Sequence, residues 1–113
     1  MTVQPIQLFA PAQLTGSAVT YYTSTNILTR IDKLTFCNQD TGAHQVTVYL
    51  VPNGGTAGPT NLITKAYSIG AGATWSDPNT IGQMLGQGGT LQMFADTAAD
   101  VTVFGSGTQI SPT

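Results

Sequence analysis

Charge is the scarcest property of this sequence. Asp, Glu, Lys and Arg make up 7% of its 113 residues, whereas they make up about 25% of an average soluble domain. Glu is absent, and three basic side chains oppose five Asp side chains, which gives a formal net charge of −2. Three cations cannot neutralise a run of phosphates, so the composition argues against binding to nucleic acid.

Cysteine and long apolar runs are also scarce. Cys37 is the single cysteine, which excludes an internal disulfide and a Cys-rich zinc site and favours synthesis in a reducing cytosol. No apolar stretch approaches the roughly 18 residues of a membrane-spanning helix, and no basic segment followed by an apolar core marks a secretory signal. The length suits one domain, and we expect residues 1–113 to form it.

Polar but uncharged residues take the place of the missing charges. Thr occurs 19 times and Gln 9 times, and hydrophobic residues make up 41% of the chain. A nearly neutral chain of this hydrophobicity is expected to fold around a packed core rather than stay disordered. Thr is β-branched and favours strands, while a shortage of Lys and Glu is typical of buried interfaces. We infer that partner proteins cover much of the surface.

Apolar and polar side chains alternate with a period of two along much of the chain. Residues 45–51 show the clearest alternation and predict a strand. Residues 30–37 alternate less regularly, because Ile31 falls out of phase with Leu34. A β-bulge near Asp32 would bring both side chains to the same face of a second strand.

The remaining strands are predicted to be short and closely spaced. They cover residues 6–9, 19–23, 62–69, 74–76, 90–95 and 101–105, with 109–110 extending the last one. This spacing predicts an all-β fold, a single antiparallel β-sandwich or jelly-roll-like domain of about 7–8 short strands. Residues 80–85 are expected to form at most one short helical turn. Residues 1–11 are a candidate extended N-terminal arm, and residues 6–9, bracketed by Pro5 and Pro11, could belong to that arm or form an edge strand.

Few motifs could carry chemistry. Residues 40–43, Asp-Thr-Gly-Ala, resemble the signature of retroviral-type aspartic proteases, in which each chain of a dimer supplies one Asp. The same residues are ordinary turn formers between two strands, and we interpret them as a turn. The glycine-rich segments 54–58 and 70–72 lack the residues of a phosphate or dinucleotide site, so both are interpreted as turns.

Isolated titratable side chains give no recognisable site. His44 is the only histidine and has only Asp40 near it in sequence, so we expect it to face solvent or cap a turn. Cys37 is expected to be a buried, inert thiol. Asp96 and Asp100 flank a predicted hairpin and could share a calcium ion, but they bring too few oxygen ligands. We therefore predict no catalytic residue, no cofactor, no metal site and no enzyme activity.

Five aromatic side chains raise one alternative. They are Tyr21, Tyr22, Tyr49, Tyr67 and Trp75. Together they could form a platform that binds a glycan, as in an adhesin module. Aromatic side chains are also common in strands, where they pack against their neighbours, and we prefer that interpretation.

Several longer segments of the sequence are distinctive. They are Arg-Ile-Asp-Lys-Leu-Thr-Phe-Cys-Asn at 30–38, Val-Thr-Val-Tyr-Leu-Val-Pro-Asn-Gly-Gly at 46–55, Ile-Gly-Ala-Gly-Ala-Thr at 69–74 and Gly-Ser-Gly-Thr-Gln-Ile at 105–110. Together they resemble small structural proteins of tailed-bacteriophage virions. The resemblance covers most of the chain, and its motifs are structural rather than catalytic. The sequence departs from many such proteins at Ser76 or Gln109, where they carry an acidic residue.

The resemblance implies a head decoration or cement protein. Such a protein binds the assembled capsid as a β-sandwich module, often as a dimer or trimer. Its partners would be the major capsid protein and copies of itself, with neither nucleic acid nor a membrane involved. It would be made in the cytoplasm of the host bacterium and lie on the outer surface of the virion head. A neck, tail or fibre component and a glycan-binding adhesin module are the alternatives.

The apolar side chains near the N-terminus are the candidate contacts with a partner. Val3, Ile6, Leu8 and Phe9 belong to the predicted arm. An extended arm can add to the exposed strand edge of a neighbouring subunit through main-chain hydrogen bonds. Because the chain has so few charges, such contacts would rest on apolar burial and neutral hydrogen bonds, and would depend weakly on salt.

Overall fold

The computed structural model describes residues 2–111 as nine β-strands in two antiparallel sheets. In chain order the strands are β1 (Thr2–Gln13), β2 (Val19–Thr23), β3 (Leu28–Asn38), β4 (His44–Val51), β5 (Leu62–Ile69), β6 (Thr74–Ser76), β7 (Met84–Leu85), β8 (Thr90–Ala95) and β9 (Val101–Ser111). Between residues 2 and 111 there is no helix that is long and apolar enough to cross a membrane.

The strand order is that of a jelly roll. The first sheet has the order β1-β9-β3-β6, with β7 also paired to β3, and the second has the order β2-β8-β4-β5. When the two sheets are stacked, consecutive strands of the chain lie opposite each other, β1 over β2, β3 over β4 and β6 over β5. Apart from the short extra strand β7, this arrangement of two facing sheets of four strands each is characteristic of jelly rolls. The predicted all-β sandwich is confirmed.

Apolar side chains from the inner faces of both sheets form the core. In β8, for example, alternate residues are buried, as expected for a strand with one face toward a core. The buried apolar side chains of this core cluster are Leu8, Leu14, Ile31, Leu34, Phe36, Val46, Val48, Ile69, Leu85, Leu91, Met93, Ala95, Val101 and Val103. Burial of this apolar surface is the main favourable contribution to folding.

The predicted bulge in β3 is confirmed. The pairing of β3 with β9 shifts register between Ile31 and Lys33. Because one extra residue is inserted there, Ile31 and Leu34 both point inward, and both are fully buried. The irregular alternation in the sequence thus marks a bend in the central strand of the first sheet.

Aromatic pairs close both sides of the sandwich. On one side, Phe9 of β1 lies 5.7 Å from Tyr21 of β2, measured between ring centroids. On the other side, Tyr67 of β5 stacks on Trp75 of β6 at 3.8 Å. Each pair joins the edge strand of one sheet to the edge strand of the other. The aromatic rings therefore cover the core along the two open sides of the sandwich.

Residues 80–85 form a hydrogen-bonded turn and a short strand rather than a helix, which stays within the predicted limit of one helical turn. The backbone N–H of Gly82 donates to the carbonyl of Ile31 at 2.7 Å, and the N–H of Ile31 donates to the carbonyl of Gln83 at 2.8 Å. The N–H of Gln83 also donates to the carbonyl of Thr80 at 3.1 Å, so the segment makes one turn, is held to β3 by the bonds with Ile31, and continues as the short strand β7. Gly82 has a φ of +80°, which also interrupts a right-handed helix.

The N-terminal segment predicted as an arm is an edge strand in this structure. Residues 2–11 belong to β1, which pairs with β9 along most of its length, while Met1 lies outside the described residues. Pro5 and Pro11 fit this position, because prolines in sheets occur mainly in edge strands. The contact of this segment with a partner subunit remains a prediction.

Close packing of three strands makes Gly107 a sensitive position. A Cβ atom there would lie 2.6 Å from the carbonyl oxygen of Arg30 and 2.8 Å from Cδ2 of Leu8. Gly107→Ala is therefore expected to lower the free energy of unfolding by about 1–3 kcal/mol in urea denaturation. Gly16→Ala is the control, since its Cβ meets nothing within 4 Å. Equal stability of the two variants would contradict this packing.

Candidate functional site

The four predicted contact residues of β1 differ in accessibility. Val3 is 56% exposed, whereas Leu8 is 6% exposed and belongs to the core. Ile6 and Phe9 are partly buried and pack against that core. Val3 is the most exposed of the four, and Ile6 also lines the surface depression beside Phe104.

The outer face of the first sheet carries a further exposed apolar side chain, Phe104 of β9. It is 43% exposed and lies between the buried residues Val103 and Gly105. Beside it is a shallow depression of about 310 Å³, whose lining includes Lys33 of β3. We call the outward-facing surface of β1, β9 and β3 around Phe104 the outer face.

Charged groups at the border of the outer face bond to one another. The guanidinium of Arg30 donates to Asp32 at 2.8 Å and to the hydroxyl of Thr108 at 3.2 Å. The Thr108 hydroxyl in turn donates to Asp32 at 2.8 Å. The bonds from Arg30 and then Thr108 lower the pKa of Asp32, which keeps the carboxylate ionised.

The outer surface of the second sheet contains a smaller cavity, of about 220 Å³. Tyr49 and Phe94 stack along it with ring centroids 6.3 Å apart, and Lys65 and Asp96 also line it. A bulge in β5 shapes one wall, where Ala66 has a φ of +48° and donates its N–H to the hydroxyl of Thr47. The left-handed conformation of a non-glycine residue is unfavourable, so the surrounding bonds must hold it.

The structure does not bring the five candidate aromatic residues into one platform. Tyr67 covers Trp75, and Phe36 of the core also lies 5.9 Å from the Trp75 ring. Tyr49 stacks on Phe94 instead, and the two tyrosines of β2 lie at the other edge of the second sheet. The aromatic side chains thus mainly serve packing, as the preferred interpretation holds.

His44, at the start of β4, contacts three carboxylates. Its Nδ1 is 2.8 Å from Asp96, and its Nε2 is 2.7 Å from Asp40 and 3.4 Å from Asp100. His44 itself is only 8% exposed, so the expectation that it faces solvent is wrong. We call these four residues the His44 cluster.

The carboxylates raise the proton affinity of the imidazole. Hydrogen bonds to Asp40 and then to Asp96 raise the pKa of His44 above its usual value of 6.5. The bond to His44, assisted by the backbone N–H of Thr41, lowers the pKa of Asp40 below its usual value of 3.8. Between pH 3.8 and pH 6.5, therefore, the imidazole of His44 is protonated and the carboxylate of Asp40 is ionised.

Sequence reasoning missed the His44 cluster because of chain separation. Asp96 lies 52 residues after His44, and only the pairing of β4 with β8 brings the two together. The donor atoms of Asp40, His44 and Asp100 lie within 4.8 Å of one another, a distance that one metal ion can span. A hydrogen bond already joins His44 to Asp40, and Asp100 forms an ion pair with the same ring nitrogen at 3.4 Å. Asp96 and Asp100, whose spacing in the sequence suggests a shared calcium ion, both lie against the imidazole instead.

Asn38 holds the loop that carries Asp40. Its side-chain nitrogen donates to the carbonyls of Gly42 at 2.9 Å and Ile69 at 3.0 Å, and its Oδ1 accepts the backbone N–H of Asp40. Residues 40–43 accordingly form the loop between β3 and β4, in agreement with their interpretation as a turn. The neighbouring Cys37 is half-buried rather than buried, since it points away from the core.

Replacing Asn38 tests this arrangement. Asn38→Leu leaves the buried carbonyl of Ile69 without its donor, so the free energy of unfolding is expected to fall by about 1–3 kcal/mol. Gln87→Leu, at an exposed loop position, serves as the control and should change it by less than about 0.5 kcal/mol. Urea denaturation of both variants at one pH makes the measurement. An unchanged Asn38→Leu protein would show that the amide bonds do not hold the loop.

Comparison with known proteins identifies the fold. No protein-family model matches this chain, and no curated protein matches it. A chain from the disulfide-linked pili of Bacillus endospore appendages is similar in structure, with a TM-score of 0.57 and 16% identity over 99% of this chain and 90% of that chain.

Capsid protein structures of infectious bursal disease virus are also similar. The VP2 subviral particle gives a TM-score of 0.53 and 17% identity, over 97% of this chain and 32% of that chain. The Gx strain gives a TM-score of 0.52 and 20% identity, over 99% of this chain and 32% of that chain. This chain therefore spans about a third of the length of the viral chains. At these identities the likeness establishes a β-sandwich fold that viral shells and pili also use.

Proposed function

We propose that this protein is a structural, non-enzymatic component of a tailed-bacteriophage virion, a decoration protein that binds the assembled head. The observation that carries the proposal is the outer face, where Phe104 is exposed beside a depression whose lining includes one charged side chain, Lys33. The sequence resemblance to phage structural proteins supports it. The shared fold with subunits of viral shells and pili is consistent with a role in assembly.

A decoration protein stabilises a shell by mass action. If it binds assembled major capsid proteins and not the separated ones, each occupied site gains RT ln(1 + [L]/Kd), about 2.7 kcal/mol when its concentration is 100 times Kd. A copy that bridges several capsid subunits turns weak contacts into strong attachment through effective concentration. No catalysis is needed for this effect.

The contacts on this model come from apolar side chains and neutral hydrogen bonds. Phe104 of β9 supplies aromatic surface of the kind that dominates interface energetics. Val3 is the large apolar side chain of β1 that is strongly exposed. β1 also has one edge without a strand partner among the described residues. A neighbouring subunit could use the same surface and edge to form a dimer or trimer.

Sedimentation of the purified protein with matching empty capsids tests the function. Attachment in hundreds of copies per shell is expected for a decoration protein. Tens of copies or fewer would favour a neck, tail or fibre component. An absence of attachment, together with binding to glycans on an array, would instead favour an adhesin module and overturn the proposal.

Point substitutions locate the contact surface. Deleting the N-terminal segment would also remove Leu8 from the core, so surface changes are preferable. Val3→Asp and Phe104→Asp are each expected to weaken capsid binding by about tenfold or more, because a charge would be buried at the interface. Ile81→Asp is the matched control, since Ile81 is 54% exposed, close to the 56% of Val3, but lies in the loop before β7.

These variants can be compared by their binding isotherms, with circular dichroism to establish that each one is folded. Equal capsid affinity of all three variants would exclude the outer face as the contact.

The low charge of the outer face predicts a weak dependence of binding on salt. Between low and high ionic strength, the Kd for capsids is expected to change by less than about threefold, because few ion pairs are available to be screened. Titration of capsids at several NaCl concentrations measures this. A steep loss of affinity with salt would point to the few charged side chains as the contacts instead.

A further inference from the structure

We propose that the His44 cluster is a proton-operated latch: protonated His44 ties the β3–β4 loop to the β8–β9 loop, and loss of its proton releases them. This inference is independent of the proposed function, because it concerns contacts within one chain. It assigns a role to the only histidine and to three of the five Asp residues of the sequence.

The geometry requires two N–H donors on one ring. Nδ1 lies 2.8 Å from Asp96 and Nε2 lies 2.7 Å from Asp40, and an ionised carboxylate can only accept a hydrogen bond. A neutral imidazole has one N–H, so it can satisfy only one of the two contacts. The other ring nitrogen would then direct its lone pair at a carboxylate. Only the imidazolium fits both contacts.

The contacts to His44 come from two separate loops. Asp40 belongs to the loop between β3 and β4, while Asp96 and Asp100 belong to the loop between β8 and β9. The ring is buried among them, while the carboxylates are between 27% and 41% exposed. Water can therefore reach the carboxylates once the loops separate, and separation relieves their repulsion.

Backbone bonds show what the latch holds closed. The N–H of Gln39 donates to the carbonyl of Asp100 at 3.0 Å, and the N–H of Asp96 donates to the carbonyl of Gln45 at 3.0 Å. The N–H of Ala99 also donates to the carbonyl of Leu14 at 3.0 Å. The β8–β9 loop is thereby tied to β4 on one side and to the segment between β1 and β2 on the other.

The charges around His44 are predominantly negative. Asp40 faces it from the β3–β4 loop, and Asp96 and Asp100 face it from the β8–β9 loop. From β5, which packs beside β4, Lys65 lines the same cavity as Asp96. When His44 loses its charge, three carboxylates remain close together, and like charges at such distances repel.

The direction of the pH dependence follows from the two shifted groups. The pKa of His44 is raised, so its stabilising contribution is complete below pH 6.5 and is lost as the pH rises through the folded-state value. The pKa of Asp40 is lowered, so its contribution is complete above pH 3.8 and is lost as the pH falls through its folded-state value. The latch is closed between these limits and opens on the alkaline side.

Titration of the imidazole is the first test. Because His44 is the only histidine, its ring signals in a nitrogen-15 NMR spectrum report a single site. We expect both ring nitrogens to carry protons at pH 6.5 and the titration midpoint to lie above that value. A neutral ring at pH 6.5, or a midpoint at or below it, would overturn the proposal.

Urea denaturation between roughly pH 5.5 and pH 8.5 tests the link to stability, with a chelator present so that no metal ion replaces the proton. Above pH 6.5, the folding equilibrium constant of the wild type is expected to fall by up to about tenfold per pH unit. His44→Gln keeps a hydrogen-bonding side chain that does not titrate, so the folding equilibrium constant of this variant should stay nearly constant over the same pH range. Parallel curves for the two proteins would contradict the latch.

Hydrogen exchange distinguishes a latch from a static ion pair. After correction for the intrinsic pH dependence, amides at 39–43 and 96–100 should lose protection as the pH rises, while those in the middle of β4 and β8 keep it. Asp100→Asn serves as a second variant in case His44→Gln does not fold, because it leaves both short ring contacts in place. In this variant, the loss of amide protection between low and high pH should be smaller than in the wild type. Unchanged loop protection across the pH range would refute release of the loops.

Discussion

The packing of β3 between its neighbours and against the second sheet is the constraint on which the rest of the structure depends. β3 pairs with β9 on one side and with both β6 and β7 on the other, and it contributes Ile31, Leu34 and Phe36 to the core. A one-residue slip in a strand exchanges its buried and exposed faces. The bulge after Ile31 makes such a slip within the strand, and thereby keeps Ile31 on the same inner face as Leu34 and Phe36.

The arrangement of charges explains why the outer surface is so neutral. Three Asp residues surround His44, one bonds to Arg30, and the fifth, Asp77, is buried and accepts the hydroxyl of Thr64 and the N–H of Asn79. All five carboxylates are thus used within the chain. The carboxylates at the surface therefore already have partners within the chain, and the residues around them are mostly uncharged, with a lower desolvation cost than charged groups.

Local patterns were sufficient to predict most of the fold. The bounds of β2, β5, β6 and β8 agree with the periodicity of the sequence, since each strand is short and ends at turn-forming residues. For residues 80–85 the sequence allowed at most one helical turn, because apolar spacing over so few residues fits both a helical turn and a strand, and the structure has a turn followed by β7 there. The backbone hydrogen bonds of Gly82 and Gln83 with Ile31 decide between these two structures, and they join residues that are far apart in the chain. The same reason hid the His44 cluster, whose members meet only through the pairing of β4 with β8.

The stacked pair of Tyr67 and Trp75 gives the protein a built-in optical probe. Trp75 is the only tryptophan, and its ring lies where β6 of one sheet meets β5 of the other. Its fluorescence therefore comes from a single place in the molecule, the joint between the two sheets. Any event that draws the sheets apart along this side, from thermal fluctuation to attachment on a larger assembly, changes the surroundings of one identifiable chromophore without the need for a label.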